Sequence, residues 1–237
     1  AFAISHRAHA SIVSLPKILP HYAGFLFEEE IKHLEAAFHP PHPFLFILGG
    51  RKADTKLALV EKFIDIADNI FIGGAVVNNL FKAQGHEVGT STTENVSADL
   101  EKIIWNEKVI LPEDVIVQNK QGSVTTKLPD AVLPDEKILD AGPKSLHALA
   151  RLIEGSAFVV WNGPLGVFEN GFEKSTIDMI QMFKKSKAKT IVGGGDTVAA
   201  ISKFGDEKDF WFVSTGGGAM LQFLVNRTLP GIEALIQ

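Results

Sequence analysis

Two hydrophobic periods alternate along this chain. Short runs of mostly apolar residues occupy positions 44–48, 70–72, 158–162, 190–192 and 210–215. Around them, apolar residues recur at spacings of three and four, which predicts helices over 26–38, 55–66, 76–83, 96–105, 144–153, 172–183 and 198–204. Short strands that alternate with helices are typical of βαβ units. The pattern therefore predicts an α/β fold, a doubly wound (Rossmann-like) and mostly parallel sheet with helices on both faces.

The interval from 109 to 140 departs from this pattern. It holds short candidate strands at 109–111, 115–117 and 123–126, with prolines and a glycine between them and little helical periodicity. This composition predicts a small antiparallel excursion, after which a strand at 137–140 returns to the main sheet. Upstream, the stiff segment 40–43, Pro-Pro-His-Pro, separates residues 1–39 from the sheet.

Each of the five predicted sheet strands ends at glycine, and this placement points to a ligand. The clusters are Gly49-Gly50, Gly73-Gly74, Gly163, Gly193-Gly194-Gly195 and Gly216-Gly217-Gly218. In an open parallel sheet, strand carboxyl ends and the following helix N-termini gather along one edge, where glycine lets backbone N–H groups approach an anion. Glycine also ends strands in any α/β protein, but five clusters at equivalent positions favour a polyphosphate site.

Composition narrows the classes of function. The chain has 237 residues, a formal net charge of −5 and a pI near 5.9, which argues against a broad nucleic-acid surface. Cysteine is absent, so disulfides, thiolate metal sites and thiol nucleophiles are excluded. No uninterrupted apolar stretch is long enough to cross a bilayer. We expect one main domain with no nucleic-acid and no membrane partner.

The chain lacks the two common nucleotide-binding signatures. No segment supplies Gly-x4-Gly-Lys-Ser/Thr, and Val198 and Leu221 stand where the last glycine of Gly-x-Gly-x-x-Gly would be. Instead, Lys52 and Lys56 open a predicted helix directly after a glycine doublet. Residues four apart share a helix face, so both ammonium groups are expected to reach phosphates at the helix N-terminus. A solvated basic turn is the alternative.

Two further segments carry candidate contacts. Asn162 and Glu169 bracket a Gly- and Pro-containing loop, a composition that suits a ribose or base edge held against an apolar wall. A turn residue and an ordinary acid at a helix start would give the same pattern. Asp196 follows the glycine triplet and is a candidate Mg²⁺ ligand beside a phosphate cradle, with capping of the next helix as the alternative role.

Taken in order, these motifs resemble those of the phosphoglycerate kinase family. They run in family order from the first residue nearly to the last. The resemblance rests on Ala1-Phe2-x3-His6-Arg7-Ala8-His9-Ala10-Ser11, Gly49-Gly50-x-Lys52-x3-Lys56, Val160-Trp161-Asn162-Gly163-Pro164-x-Gly166-Val167-Phe168-Glu169, Gly193-Gly194-Gly195-Asp196-Thr197, Ser214-Thr215-Gly216-Gly217-Gly218-Ala219 and Leu229-Pro230-Gly231.

That family has two doubly wound domains, one for phosphoglycerate and one for nucleotide, joined by a hinge. The resemblance implies that residues 1–23 are the tail of the substrate-binding domain, 24–39 the connecting helix and 40–237 the nucleotide-binding domain. The chain begins without an initiator methionine or a signal-peptide pattern, so we expect it to start in mid-protein, without most of the substrate half.

The activity implied by the resemblance is a step of glycolysis. A phosphoryl group would move reversibly between 1,3-bisphosphoglycerate and Mg-ADP, giving 3-phosphoglycerate and Mg-ATP. The resemblance implies a cytoplasmic monomer with Mg²⁺ and ADP or ATP as its ligands. The chain alone is expected to bind nucleotide and to turn over negligibly.

The resemblance also implies roles for individual residues. Lys52 is expected to follow the transferring phosphoryl group with the amides of Gly195 and Gly218, and Lys56 to bind the nucleotide phosphates. Asp196 is the expected Mg²⁺ ligand and Glu169 the ribose contact. The other expected nucleotide contacts are Gly50, Gly73, Gly74, Asn162, Pro164, Gly166, Val167, Gly194, Thr197 and Gly217. The expected phosphoglycerate contacts are His6, Arg7 and His9, for which an exposed polar segment is the alternative.

Some positions depart from the family pattern. Arg51 stands where a small residue is usual, residues 75–79 differ from the usual small and aromatic run, and Ile138 stands where glycine is common near the adenine.

The sequence leaves two functions open as alternatives to the kinase. One is a non-catalytic nucleotide-binding module without a substrate domain. The other is a dinucleotide oxidoreductase, which rests on fold analogy alone.

Overall fold

A computed structural model describes residues 2–236 of the chain. The strands are β1 (Phe44–Leu48), β2 (Asn69–Ile72), β3 (Val109–Ile110), β4 (Val115–Gln118), β5 (Val124–Lys127), β6 (Lys137–Ala141), β7 (Phe158–Asn162), β8 (Lys189–Gly193) and β9 (Phe212–Val213). The α-helices are α1 (Phe25–Glu35), α2 (Ala53–Phe63), α3 (Val76–Ala83), α4 (Leu100–Ile104), α5 (Pro143–Gly155), α6 (Lys174–Lys185), α7 (Gly195–Phe204), α8 (Gly217–Asn226) and α9 (Pro230–Ile236).

Within residues 2–236 the main sheet has six parallel strands in the order β3-β2-β1-β7-β8-β9. The first three strands along the chain build the sheet outward in one direction from β1, and the last three build it in the other. The order therefore reverses between β1 and β7. In open α/β sheets, ligands bind outside the carboxyl ends of the strands at such a switch point. The predicted fold class is confirmed.

The position of β1 inside the sheet explains why its sequence is continuously apolar. Phe44, Phe46 and Leu48 face one hydrophobic cluster, which includes side chains of α2 and α8. Leu45 and Ile47 face a second cluster, which includes side chains of α5, α6 and α7. Because helices cover both faces, no position of the strand is left for a polar residue.

Two strand assignments from the sequence are wrong. The run at 109–111, predicted to join the antiparallel excursion, instead forms β3, which pairs parallel with β2 at the edge of the main sheet. The strand at 137–140, predicted to return to the main sheet, forms β6, which pairs antiparallel with β4. With β5, these strands make a separate three-stranded sheet.

Hydrogen bonds around Asp114 explain the position of β6. The Gly142 N–H donates to the Asp114 carbonyl at 2.9 Å, and the Ser145 N–H donates to its carboxylate at 2.9 Å. These bonds fasten the end of β6 and the start of α5 to the residue before β4. A sequence pattern does not contain such a contact, because its partners lie about 30 residues apart.

Several helix boundaries also differ from prediction. The helix predicted at 96–105 is shorter, since α4 begins after Asp99, whose side chain accepts from the Lys102 N–H at 3.1 Å. Helix α1 ends earlier than predicted and continues as a short 3-10 turn over Ala36–Phe38. Helices α8 and α9 were not predicted.

Helix α1 is fastened to the main domain through one buried carboxylate. Glu30 is only 3% exposed. It accepts hydrogen bonds from the Ser214 hydroxyl, the Thr215 N–H and the Thr215 hydroxyl, each at 2.7 Å. The loop between β9 and α8 is therefore held directly by α1. Across residues 2–236, no helix is long and apolar enough to span a membrane.

Candidate functional site

A cleft with two lobes lies outside the carboxyl ends of β1 and β7, at the switch point of the sheet. The large lobe has a volume of about 190 Å³ and reaches to the three-stranded sheet at β6. The small lobe has a volume of about 150 Å³ and lies against the starts of α7 and α8. Both lobes are lined by Gly50, Arg51, Pro164 and Asp196, so they are parts of one cleft.

The predicted nucleotide residues divide between these lobes. Besides the residues shared by both lobes, the predicted residues that line the large lobe are Gly74, Gly166, Val167 and Glu169. Those that line the small lobe are Lys52, Lys56, Asn162, Gly194, Gly195, Thr197, Gly217 and Gly218. Gly73 lines neither lobe and packs against Leu165, whose Cδ2 would lie 2.7 Å from an added Cβ.

The small lobe is built from two adjacent helix N-termini. Gly194 precedes α7 with φ +104°, and Gly217 opens α8. A Cβ on Gly217 would lie 3.3 Å from the Cα of Gly194, so the two loops are in contact. Unpaired N–H groups and the positive ends of two helix dipoles therefore meet at one place. This arrangement suits an anion such as phosphate.

The first glycine doublet mainly allows the β1 and β7 loops to touch. The Gly49 N–H donates to the Asn162 carbonyl at 2.9 Å, and the Gly50 N–H donates to the Pro164 carbonyl at 2.6 Å. A Cβ on Gly49 would lie 2.3 Å from the Pro164 oxygen. At this cluster the glycine is required by close backbone packing, which forms the floor of the cleft.

Lys56 is a buried cation beneath the small lobe. Lys56 is only 5% exposed, and its ammonium donates a hydrogen bond to the Gly49 carbonyl. Burial lowers the pKa of Lys56 from 10.5 to about 8, while the nearby Asp196 carboxylate favours the charged form. A polyphosphate in the lobe would stabilise this ammonium further.

The expectation that Lys52 and Lys56 share a helix face is wrong. Lys52 precedes α2 and adopts a left-handed backbone conformation with φ 67°, so it lies outside the helix. Moreover, the Glu94 carboxylate accepts from the N–H groups of Lys52 at 3.2 Å and Ala53 at 2.9 Å. The N-terminus of α2 is thus already occupied by an anion. Both lysines still line the small lobe.

Asn162 and Thr197 support the small lobe from below. Both residues are buried, and Asn162 lies at the end of β7. The Thr197 hydroxyl accepts from the Gly163 N–H at 2.9 Å and so ties α7 to the β7 loop. Asn162 was expected beside the nucleoside, but it lines the lobe of the glycine loops instead.

Asp196 is the second residue of α7, and its side chain is exposed to the cleft. The N-cap of α7 is Gly194, without a side-chain cap, so the structure does not support the capping alternative. Among residues 2–236 no cluster of three or more His, Cys, Asp or Glu side chains is arranged to hold a metal. A Mg²⁺ ion here would take one protein carboxylate and fill its other positions with phosphate oxygens and water, which is its usual preference.

The large lobe lies between β6 and the Gly166-Val167 loop. The Val167 N–H donates to the Leu139 carbonyl at 2.8 Å, which joins these two walls. Ile138 and Leu139 line the lobe, so the departure at position 138 places an isoleucine in its wall. At the rim, the Arg51 guanidinium lies 3.6 Å from the Glu169 carboxylate.

Asp140 is a cleft residue that the sequence pattern did not indicate. It accepts hydrogen bonds from the Ser175 hydroxyl, the Ser175 N–H at 3.2 Å and the Ala141 N–H at 2.8 Å. Burial raises the pKa of Asp140 from 3.8 to about 6 despite these bonds. The feature of the sequence that could have indicated it is an acidic residue at the end of a short apolar strand.

The predicted phosphoglycerate residues His6, Arg7 and His9 do not line either lobe. His6 nevertheless lies beside the small lobe, since a Cβ on Gly218 would be 3.3 Å from its Nε2. Burial lowers the pKa of His6, and the neighbouring Arg7 and His9 lower it further. The His6 imidazole, with the Arg7 guanidinium next to it, therefore borders the start of α8.

Comparison with known proteins gives a consistent result. The family model of phosphoglycerate kinase matches residues 1–227. Phosphoglycerate kinases of Pseudothermotoga lettingae and Thermus thermophilus are 40% and 42% identical over 247 residues. These alignments cover 99% of this chain and 62% and 63% of the two relatives.

Solved structures agree with the sequence relatives. The phosphoglycerate kinase structure from Coxiella burnetii has a TM-score of 0.86 and 38% identity, and the match covers all of this chain and 64% of that one. The phosphoglycerate kinase structure from Pyrococcus horikoshii has a TM-score of 0.85 and 30% identity, with 62% of that chain covered. The present chain thus spans less than two thirds of the length of these relatives. Because the family model matches nearly the whole sequence, the chain belongs to the phosphoglycerate kinase family.

Proposed function

We propose that the cleft binds Mg-ADP or Mg-ATP and that this chain supplies the nucleotide-binding half of a phosphoglycerate kinase. The whole protein would transfer a phosphoryl group reversibly from 1,3-bisphosphoglycerate to Mg-ADP in glycolysis. The observation that carries this proposal is the convergence of separate loops, after β1, β7, β8 and β9, on one two-lobed cleft. One lobe suits a nucleoside and the other a polyphosphate.

The proposed orientation follows from the chemistry of the lobes. The base and ribose occupy the large lobe, between β6 and the Gly166-Val167 loop, with Glu169 available to the ribose hydroxyls. The phosphates occupy the small lobe, where Lys52, Lys56 and the N-termini of α7 and α8 are directed at negative charge. Of the expected contacts, Gly73 acts through packing alone.

The small lobe also contains what phosphoryl transfer requires. In this reaction the bond from phosphorus to the acyl oxygen breaks and a bond from phosphorus to the ADP β-phosphate oxygen forms. Negative charge is spread over the three equatorial oxygens, so positioning and electrostatic stabilisation supply most of the catalysis. We assign Lys52 and the Gly195 and Gly218 amides to the moving group, since these three residues line the lobe at exposed positions.

Asp196 is the residue that would hold Mg²⁺. Its carboxylate has no hydrogen bond or ion pair to the rest of residues 2–236 and lies at the boundary of the two lobes. When bound, the ion would neutralise phosphate charge. Lys56 would act beside it as a fixed, water-shielded cation.

We further propose the division of the chain given by the resemblance, with 1–23 and 24–39 preceding a nucleotide-binding domain over 40–237. His6, Arg7 and His9 would face the phosphoglycerate in the whole protein, where another arginine would complete the site. Cytoplasmic location and a monomeric state stay predictions.

Calorimetric titration of the 237-residue chain with Mg-ADP tests nucleotide binding, with NAD as the comparison ligand. We expect saturable binding of Mg-ADP, weaker binding of ADP in EDTA and none of NAD. Binding of NAD in preference to Mg-ADP would refute the proposal. A coupled assay should detect negligible kinase turnover from the chain alone.

A chimera separates the kinase from a non-catalytic module. The substrate-binding part of the Thermus thermophilus relative, taken from the portion that this chain does not cover, would be joined ahead of residue 1. A kinase half should give 3-phosphoglycerate-dependent ATP consumption in the chimera. A chimera that folds and binds Mg-ADP without turnover would favour the module.

A further inference from the structure

Arg51 has a position that no other basic side chain of the cleft shares. It follows Gly50 in the turn between β1 and α2 and lines both lobes, whereas Lys52 and Lys56 line only the small lobe and Lys137 only the large one. A nucleotide laid through the cleft would cross this boundary with its ribose 5′-oxygen and its first phosphate. Arg51 is therefore the one basic residue, among those that line the cleft within residues 2–236, that borders both the nucleoside side and the phosphate side.

The partner of Arg51 in the structure is weakly held. Its guanidinium Nη2 lies 3.6 Å from Glu169 Oε1, across the rim from the β1 turn to the 3-10 turn at Phe168–Asn170. The two side chains are 66% and 54% exposed. An ion pair this exposed contributes about 1 kcal/mol or less, so a ligand can replace either partner at little cost.

Each of the other cations of the cleft lines one lobe only, Lys137 the large lobe and Lys52 and Lys56 the small one. Lys56 is buried, and its ammonium is already bound to the Gly49 carbonyl. Lys52 lines the small lobe only. Arginine stays charged at any physiological pH and presents a planar set of donors that matches phosphate oxygens in pairs. Release of Arg51 would also free the Glu169 carboxylate for ribose hydroxyls.

We propose that Arg51 is a specificity-determining residue that exchanges Glu169 for the first phosphate of the bound nucleotide, and so favours phosphorylated nucleotides over nucleosides. This inference rests on the proposed nucleotide site and adds to it a contact at a position where the family usually has a small residue. It predicts that the affinity gained through Arg51 appears with the first phosphate and not with the base.

The test is calorimetric titration of adenosine, AMP and ADP, each without Mg²⁺, into the parent chain and Arg51→Ala. We expect the variant to bind AMP and ADP roughly tenfold more weakly, since a bidentate arginine–phosphate contact is of the order of 1.4 kcal/mol. Adenosine should bind equally well or up to about twofold more tightly, because Glu169 becomes free. Arg51→Lys should recover only part of the loss.

The matched control is Arg151→Ala, which removes the same charge from an exposed position on α5 that lines neither lobe. It should leave all three affinities unchanged. Equal losses for adenosine and ADP in Arg51→Ala, no loss for either, or tighter ADP binding would each overturn the role of Arg51. If the parent chain binds none of the three ligands and does not bind Mg-ADP, the proposed function itself fails.

Discussion

Replacing Lys56 by methionine should make the chain more stable while it removes nucleotide binding. The ammonium of Lys56 is held in a buried position, where its pKa falls from 10.5 to about 8. The fold therefore disfavours the charged form that predominates at neutral pH. Methionine has a similar length without a charge, so it removes the cost of burying the ion.

The size of the effect follows from the pKa. At about 1.36 kcal/mol for each pH unit, the difference between 10.5 and 8 corresponds to about 3 kcal/mol of lost stability below pH 8. In Lys56→Met, loss of the hydrogen bond to the Gly49 carbonyl offsets about 1–2 kcal/mol of the stability gained by removing the buried charge. Lys56→Met should therefore raise the free energy of unfolding by about 1–2 kcal/mol at pH 7.

The gain should depend on pH in a defined direction. Because the folded pKa lies below the unfolded one, the unfolded chain binds more protons between pH 8 and 10.5, and the parent gains stability as pH rises through this window. By pH 9.5 the burial cost has fallen by roughly half. The advantage of Lys56→Met should shrink accordingly.

Urea unfolding at pH 7 and pH 9.5, followed by tryptophan fluorescence, measures both effects. Lys62→Met, at an exposed position of the same helix, is the matched control and should change stability little at either pH. A variant less stable than the parent at pH 7, or an advantage that does not change with pH, would refute the assignment of Lys56 as a strained buried cation.

Two other substitutions test the walls of the cleft. In urea titrations, Asp140→Asn should lose about 1 kcal/mol of stability relative to the parent as pH falls from 7 to 5. The reason is that the parent carboxyl has a raised pKa of about 6 and takes up a proton on folding in this range. Parallel pH dependences of variant and parent would contradict this. Gly49→Ala should destabilise by about 2 kcal/mol or more in thermal unfolding, since its methyl would lie 2.3 Å from the Pro164 oxygen. Gly155→Ala, which meets open space at the end of α5, should be neutral or mildly stabilising, and equal effects of both alanines would exclude backbone packing as the cause.

The parts of the fold that could be predicted from sequence have a dense local pattern. Strand β1 was predicted with the bounds it has, because five consecutive apolar residues are required when helices cover both faces. Helix α3 also begins and ends as predicted. Helix α8 was missed because it opens with glycines and then presents apolar residues on most sides, so it has little periodic contrast.

The remaining features depend on contacts between distant residues. A two-residue strand such as β3 has no alternation that could assign it to a sheet. The Glu94 carboxylate that occupies the start of α2 is separated from Ala53 by 41 positions and belongs to no local motif. The sequence thus placed the glycine loops and lysines at the correct edge of the sheet, but it did not show which loops use glycine for packing.

The Glu30 carboxylate links helix α1 to the glycine loop at the start of α8. Glu30 joins α1 to Ser214 and Thr215, which immediately precede the glycines at the start of α8. Rotation of α1 must either carry that loop with it or break all three bonds to a buried acid. The orientation of α1 and the binding of a ligand in the small lobe are therefore thermodynamically linked. A ligand that fixes the loop also restricts rotation of α1, and a force on α1 alters the affinity for that ligand in return.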